Sequence, residues 1–355
     1  MNFAEIFNRY GLIAVSVFCL SFVLTFLAVK IFPKLKLMDR PHDYGLNRAP
    51  IPYYGGVAIF LSFAISVLIF VPLEKHVIGL LVGAAIIFLV GFFDDKFRIS
   101  PIVRLLFQFL AATVLVFAGI YIFSINIPIF GVLDLDNLVI KNIPLFSALF
   151  TVIWVMVIVN AMNFLDGVSG LNSGISSIAA LSMFFLSINP ILHVDLASQS
   201  GVATIALILA MTGFAFMIFD FPKPKILMGD SGSTFFGFVL ATLAIFSGGK
   251  VATAFLVLGI PILDMAWVVA RRIKDGKKFW QGDLKHLHHR LLSFGLSERK
   301  TVLVYYLIAA IFGFSAVMLV DSSQKLFMLI GLVVLMVIMA FYVAFGENGK
   351  VKGEK

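Results

Sequence analysis

The stretch PLFSALFTVIWVMVIVNAMNFLDGVSGL, residues 144–171, carries no charged residue before Asp166. A helix needs roughly 20 apolar residues to cross the hydrocarbon of a bilayer. Residues 144–164 therefore read as a transmembrane helix, and Asn160, Asn163 and Asp166 mark its exit. Spacing of three puts the two amides and the carboxylate along one helical face.

The rest of the chain repeats this pattern. Of 355 residues, 61% are hydrophobic and 13% charged, with a mean hydropathy of +1.06, outside the range of soluble domains. One cysteine, Cys19, excludes an intramolecular disulfide and argues against redox chemistry. The first apolar run, about Gly11 to Phe32, is too long for a signal-peptide core and follows Glu5 and Arg9, so it reads as a first span rather than a cleaved leader. The length rule predicts an all-α polytopic membrane protein of eleven spans: about 11–33, 54–73, 77–93, 102–123, 144–164, 171–189, 201–219, 232–248, 251–271, 302–320 and 325–345. Between the fourth and fifth, apolar and polar residues alternate around Gly131, predicting a small outer-face β-hairpin with Asp134 and Asp136 on its polar side.

A net charge of +8 raises nucleic acid as a partner, but in a membrane protein the distribution of charge decides. On this map 22 of the 27 Lys and Arg residues fall on one side. That side is cytoplasmic by the positive-inside rule, which puts the N-terminus outside and the C-terminus inside. Residues 1–345 then form one integral-membrane domain with cytoplasmic loops at 34–53, 94–101, 165–170, 220–231 and 272–301, and 346–355 form a short tail.

Four polar clusters fall on that same side. Asp94-Asp95 ends the third span; adjacent carboxylates at a membrane boundary are costly without a cation, and they suit Mg²⁺ or a base, or equally a helix-end stop signal. Asn160, Asn163, Asp166 and Gly167 offer hard oxygen ligands beside glycines that admit a ligand closely, or hydrogen bonds between helices. The segment MGDSGS, residues 228–233, opens the eighth span with Asp230 as a charged ligand, or as a capped helix start. His286, His288, His289 and Arg290, in HLHHRL, follow Arg271, Arg272 and Lys274. They suit phosphate recognition, or a basic loop drawn to anionic lipid. No cysteine lies nearby to complete a zinc site. A Walker A loop, GxGxxG and HExxH are all missing, so ATP-driven transport, dinucleotide redox chemistry and zincin-type proteolysis find no support. Together the clusters point to a polyanionic substrate handled with a divalent cation at the inner membrane surface.

GGVAI (55–59), FFDDKFRISPIVRLLFQ (92–108), NAMNFLDGVSGL (160–171), LMGDSGS (227–233) and HLHHRL (286–291) occur in the order seen in the polyprenyl-phosphate N-acetylhexosamine-1-phosphate transferases. Across about residues 35–295 the chain resembles this MraY/WecA/TagO superfamily, and HLHHRL after RRI is similar to its WecA/TagO-like branch. The resemblance implies transfer of GlcNAc-1-phosphate from UDP-GlcNAc to undecaprenyl phosphate with release of UMP, an early step of a cell-envelope glycan pathway in the bacterial inner membrane. It implies Mg²⁺, with Mn²⁺ as a substitute, on Asn163 and Asp230, and catalysis by the Asp94–Asp95 pair. Nucleotide-sugar contacts are implied at Asn160, Asp166, Gly167, Ser169, Leu227, His286, His288, His289 and Arg290, and lipid-phosphate contacts at Arg104 and Arg48. Tunicamycin mimics the UDP-sugar in this family. The partners are then the UDP-sugar, the polyprenyl phosphate and the bilayer, with no nucleic acid; a homodimer is a candidate assembly. Ser169 stands where relatives carry Asp or Asn, and Asn47 and Tyr53 where many carry His and Arg. These departures bear on nucleotide and sugar specificity, so another UDP-N-acetyl sugar is the alternative substrate. A secondary transporter is the rival class, and a lipid-binding scaffold the third. A transporter would place its polar residues near the midplane in related halves.

Overall fold

The computed structural model describes residues 3–41, 48–127, 131–140, 142–191, 199–246, 251–276, 286–319 and 321–353. Asn47, the part of the first loop at 42–47, the part of the histidine loop at 277–285 and the last two tail residues lie outside them.

The chain is a helical membrane protein with little sheet. A helix forms in every predicted apolar segment, and a further one, α11, forms within the predicted loop at 272–301: α1 Phe3–Ile31, α2 Gly56–Phe70, α3 Lys75–Phe97, α4 Pro101–Phe117, α5 Leu145–Leu165, α6 Leu171–Ser187, α7 Ser200–Asp220, α8 Gly229–Phe246, α9 Val251–Val257, α10 Gly259–Lys274, α11 Leu287–Phe294, α12 Glu298–Met318 and α13 Ser322–Gly353. Among the described residues, seven of these (α1, α3, α5, α7, α8, α12 and α13) are long and apolar enough to cross a membrane, and α2, α4 and α6 are shorter apolar helices. The predicted ninth span is not continuous. It breaks at Leu258 into α9 and α10. Pro261, in the first turn of α10, has no N–H to bond back to the end of α9, so the helical ladder cannot run through.

The predicted hairpin exists: β1 Ser124–Ile127 pairs antiparallel with β2 Gly131–Asp134, Ser124 opposite Asp134. A second short pair, β3 Val139–Ile140 with β4 Ile143–Pro144, follows it. Asp134 and Asp136 are both exposed.

Large apolar side chains on the helix exteriors, including Leu12, Val15, Leu106, Leu149, Leu307 and Phe327, are exposed. Water would make that surface costly and lipid makes it neutral. The centre is α8, nearly every residue of which is buried, packed between α3 and α5 with α2, α6 and α7 around it. Small residues let these backbones meet closely, as membrane helices require. A Cβ on Gly56 of α2 would lie 2.4 Å from the Gly232 nitrogen, and one on Gly91 of α3 would lie 2.5 Å from the Ser231 Cα. The start of α8 is therefore wedged between two helices at glycines. Lower in the bundle, the Trp154 indole N–H of α5 donates to the Ala241 carbonyl of α8 at 3.2 Å.

Candidate active site

Four helix ends meet at one end of α8. Asp94 and Asp95 sit in the last turns of α3, Arg104 in the first turn of α4, Asn160 and Asn163 in the last turns of α5, and Asp230 in the first turn of α8. Helix α4 starts here because Ser100 caps it, accepting from the Val103 N–H, and Pro101 suits the first helical position. That start brings Arg104 round to the carboxylates. Its Nη1 donates to Asp94 Oδ2 at 2.7 Å and to Asp230 Oδ2 at 2.8 Å. Asn163 Nδ2 donates to Asp230 Oδ1 and to Ser233 Oγ, both at 3.1 Å. A small cavity opens between Asp94, Arg104, Gln108, Asn160, Asn163 and Asp230.

The two members of the aspartate pair do different things. Asp95 spends both oxygens on the start of α8: Oδ1 accepts from the Asp230 N–H at 2.8 Å, and Oδ2 accepts from the Ser231 N–H at 3.2 Å and the Ser231 hydroxyl at 2.8 Å. The two N–H donors are orphan groups of a helix N-terminus, and the positive end of the helix dipole favours the carboxylate. Asp95 is thus the helix cap that the sequence located within MGDSGS itself. Asp94, mostly buried, faces Arg104 and Asp230 instead.

Asn160 turns to α4, donating to Gln108 Oε1 at 2.7 Å and to the Met156 carbonyl. Leu227 acts through its backbone. Its N–H donates to the Pro52 carbonyl and its carbonyl accepts from the Gly55 N–H, both at 2.9 Å, tying the first loop to the start of α8. Arg48 pairs with Asp39 and donates to the Ala49 carbonyl, both within its own loop.

The turn 166–170 follows α5. Gly170 has φ of +83°, where a side chain would be strained. Its N–H donates to Asp220 Oδ2 at 2.9 Å, Ser173 Oγ donates to the same oxygen at 2.9 Å, and the Tyr306 hydroxyl donates to the Gly170 carbonyl. Desolvation, together with the carboxylates of Asp220, Asp230 and Asp95, pushes the Asp166 carboxyl well above the usual range. Ser169 lies partly exposed in this turn.

Helix α11 packs onto the same turn. A Cβ on Gly167 would lie 2.3 Å from His288 Nε2 and 2.9 Å from His289 Nε2. The His286 ring lies 5.3 Å from that of Phe164, the neighbour of Asn163. His288 is fully buried and neither ring nitrogen has a hydrogen-bond partner among the described residues. Burial, and the neighbouring His289 and His286, push its imidazole down to about 3, against the opposing pull of Asp264. Arg290 is half-buried on α11.

Three residues escaped the sequence reading. Asp220 holds the 166–170 turn, Gln108 holds Asn160, and Asp264 on α10 holds the start of α11 through His286 and Leu287. Asp264 lay inside a predicted span, and a lone carboxylate there is a signal that could have found it.

The arrangement is rich in hard oxygen and poor in positive charge. Asp94, Asp166 and Asp230 share the site with Arg104. Asp94 and Asp230 already converge on one cationic nitrogen, so these oxygens fit a small divalent cation. Among the described residues no three His, Cys, Asp or Glu side chains form a metal cluster.

Residues 77–248 match the family described as Glycosyl transferase family 4. The chain is similar to the "Probable undecaprenyl-phosphate N-acetylglucosaminyl 1-phosphate transferase" of Bacillus subtilis, 31% identical over 327 residues that cover 90% of this chain and 87% of that one. It is also similar to the "Decaprenyl-phosphate N-acetylglucosaminephosphotransferase" of Mycobacterium tuberculosis, 31% identical over 80% of this chain and 76% of that protein. A Salmonella typhi "Undecaprenyl-phosphate alpha-N-acetylglucosaminyl 1-phosphate transferase" is 29% identical over 84% and 80%.

Proposed function

The chain belongs to glycosyl transferase family 4, the polyprenyl-phosphate N-acetylhexosamine-1-phosphate transferases, and on that premise we propose that it moves GlcNAc-1-phosphate from UDP-GlcNAc to undecaprenyl phosphate and releases UMP. The observation that carries the reading is the convergence of Asp94 and Asp230, from the second and fourth of the five motifs, on one nitrogen of Arg104 beside Asn163. In this reading residues 1–345 act as one transferase domain of eleven crossings. The short spans of 15 and 17 residues in α2, α4 and α6 cross where the bilayer thins locally, and α9 with α10 make the broken ninth. The motif-bearing ends face the cytoplasm of a bacterial inner membrane.

An oxygen of the lipid phosphate attacks the phosphorus bearing the sugar, a new P–O bond forms, and the bond to UMP breaks. One diphosphate link replaces another, so no further energy source is needed. Attack of anion on anion is the barrier. Mg²⁺ or Mn²⁺, held by Asp230 and Asn163 with Asp94 alongside, would supply charge neutralisation at the diphosphate when bound. Arg104 offers its guanidinium to the same charge. A phosphomonoester has a second pKa near 6, so the lipid phosphate is largely ionised at pH 7. Asp94 therefore serves chiefly to orient Arg104 and the acceptor, and Asp95 serves to hold the start of α8. The 166–170 turn and the His286–Arg290 segment close over nucleotide and sugar.

The test is exchange of labelled UMP into UDP-GlcNAc by purified protein, with and without Mg²⁺ and undecaprenyl phosphate, run beside other UDP-N-acetyl sugars. Exchange should need both, and Asp230→Asn should lower it by orders of magnitude while the protein still inserts. Exchange at the wild-type rate in that variant would remove the metal assignment. Uptake without chemical conversion would favour a transporter.

A further inference from the structure

Asp264 lies in α10, outside every motif above, and is 3% exposed. A carboxylate so enclosed is costly unless its oxygens are satisfied. Both are, and by consecutive residues: Oδ2 lies 3.1 Å from His286 Nδ1, and Oδ1 accepts from the Leu287 N–H at 2.9 Å. His286 is the N-cap residue of α11 and makes no side-chain capping bond of its own. Asp264 therefore caps α11 from another helix while holding the cap residue's ring.

The ring is held on its faces too. His286 stacks nearly parallel with His288 at 5.6 Å and lies against Phe164, which in turn receives the Arg272 guanidinium at 5.5 Å. Among the described residues, the charged and titratable groups near the pair include His288 and Arg290 from α11, Arg272 from α10 and Tyr305 from α12. Asp264 Oδ2 also lies 3.9 Å from His288 Nδ1, beyond hydrogen-bond reach, so the imidazole it binds is that of His286.

We infer that Asp264 and His286 form a buried carboxylate–imidazole dyad, in which Asp264 is a positioning residue that fixes the proton on His286 Nδ1 and locks α11 against the 163–167 segment. Carboxylates that orient imidazoles in this way fix the tautomer and the ring angle together. With the proton fixed on Nδ1, Nε2 is the one nitrogen left for a second partner. The consequence for turnover rests on the proposed transferase reading; the dyad itself does not.

Two measurements on the same detergent-purified protein separate these. In ¹⁵N-histidine-labelled protein, with His286→Gln used to assign the signal, His286 carries its proton on Nδ1. In Asp264→Asn the carboxamide oxygen still accepts from Leu287, and its NH₂ faces Nδ1, so the proton moves to Nε2. UMP exchange falls roughly 10- to 100-fold in Asp264→Asn, and Asp264→Glu recovers more of it than Asp264→Asn. A wild-type His286 protonated on Nε2 alone, or a tautomer unchanged in Asp264→Asn, overturns the dyad. The expected tautomer change with undiminished exchange overturns the positioning role. Absence of exchange in the wild type refutes the transferase reading instead, and the nitrogen spectra then still decide the dyad.

Discussion

Asp95→Asn, set beside Asp94→Asn, separates a residue that holds the start of α8 from one that orients the reacting groups. In the wild type, three donors of Asp230 and Ser231 end on the two Asp95 oxygens at 2.8–3.2 Å. Truncation to Ala leaves two backbone N–H groups of a buried helix start without an acceptor. At about 1–3 kcal/mol for each unsatisfied group, Asp95→Ala should lose about 2–6 kcal/mol of stability. Asn keeps one acceptor and can donate to the Ser231 hydroxyl, so its loss should be about 1–3 kcal/mol, in the range of helix-cap deletions. Asp94 contributes less to stability. Arg104 keeps Asp230 as a partner when Asp94 becomes Asn, and the carboxamide oxygen can still accept from the guanidinium, so that change should cost about 1 kcal/mol. The assay is thermal unfolding in detergent paired with UMP exchange over a Mg²⁺ titration. Asp95→Asn should unfold earlier and need more Mg²⁺ for half-maximal exchange, with much of the rate returning at high Mg²⁺. Asp94→Asn should unfold like the wild type and lose rate at every Mg²⁺ concentration. An Asp95→Asn protein of undiminished stability that exchanges nothing at any Mg²⁺ level would refute the division of roles.

Three further outcomes follow from the geometry. In Gly91→Ala the new Cβ meets the Ser231 backbone, which cannot swing aside, so stability should drop by about 1–3 kcal/mol and exchange with it, whereas Gly331→Ala, with open space around it, should unfold like the wild type; equal unfolding of the two would remove the wedge. His288 has a folded-state pKa pushed from 6.5 down to about 3, so the unfolded chain takes up its proton first as pH falls. The stability it supports is intact above about pH 6.5 and declines below it toward pH 3 by up to about 1.4 kcal/mol per unit. The opening equilibrium of α11, read from hydrogen exchange after correction for the pH dependence of the intrinsic rate, should rise across that window and flatten in His288→Gln; a slope unchanged by the substitution would show that another group titrates. Asp220→Ala frees the Gly170 N–H and the Ser173 hydroxyl, so the 166–170 turn should exchange amide hydrogens faster and KM for UDP-GlcNAc should rise by about tenfold; unaltered protection there would dismiss Asp220 as the anchor of the turn.

What the sequence determined by itself is what depends on local composition. Long uncharged runs must become helices in lipid, because no water is there to satisfy the backbone. The helices duly lie where the runs are, and the gathering of polar motifs at one end of α8 was legible in their order and in the charge count. Some of the rest was local but outweighed: Pro261 breaks the ninth span because a missing N–H outweighs apolar length. Most of it was not local at all. Asp94 and Asp95 are neighbours in sequence and indistinguishable by type, and only the packing of α3 against α8 decides that one caps a helix while the other meets Arg104. Asp220 and Asp264 take their roles from turns and rings many residues away. Apolar runs report on the solvent around each segment, whereas a buried carboxylate is defined by the donors that reach it, and those come from elsewhere in the chain.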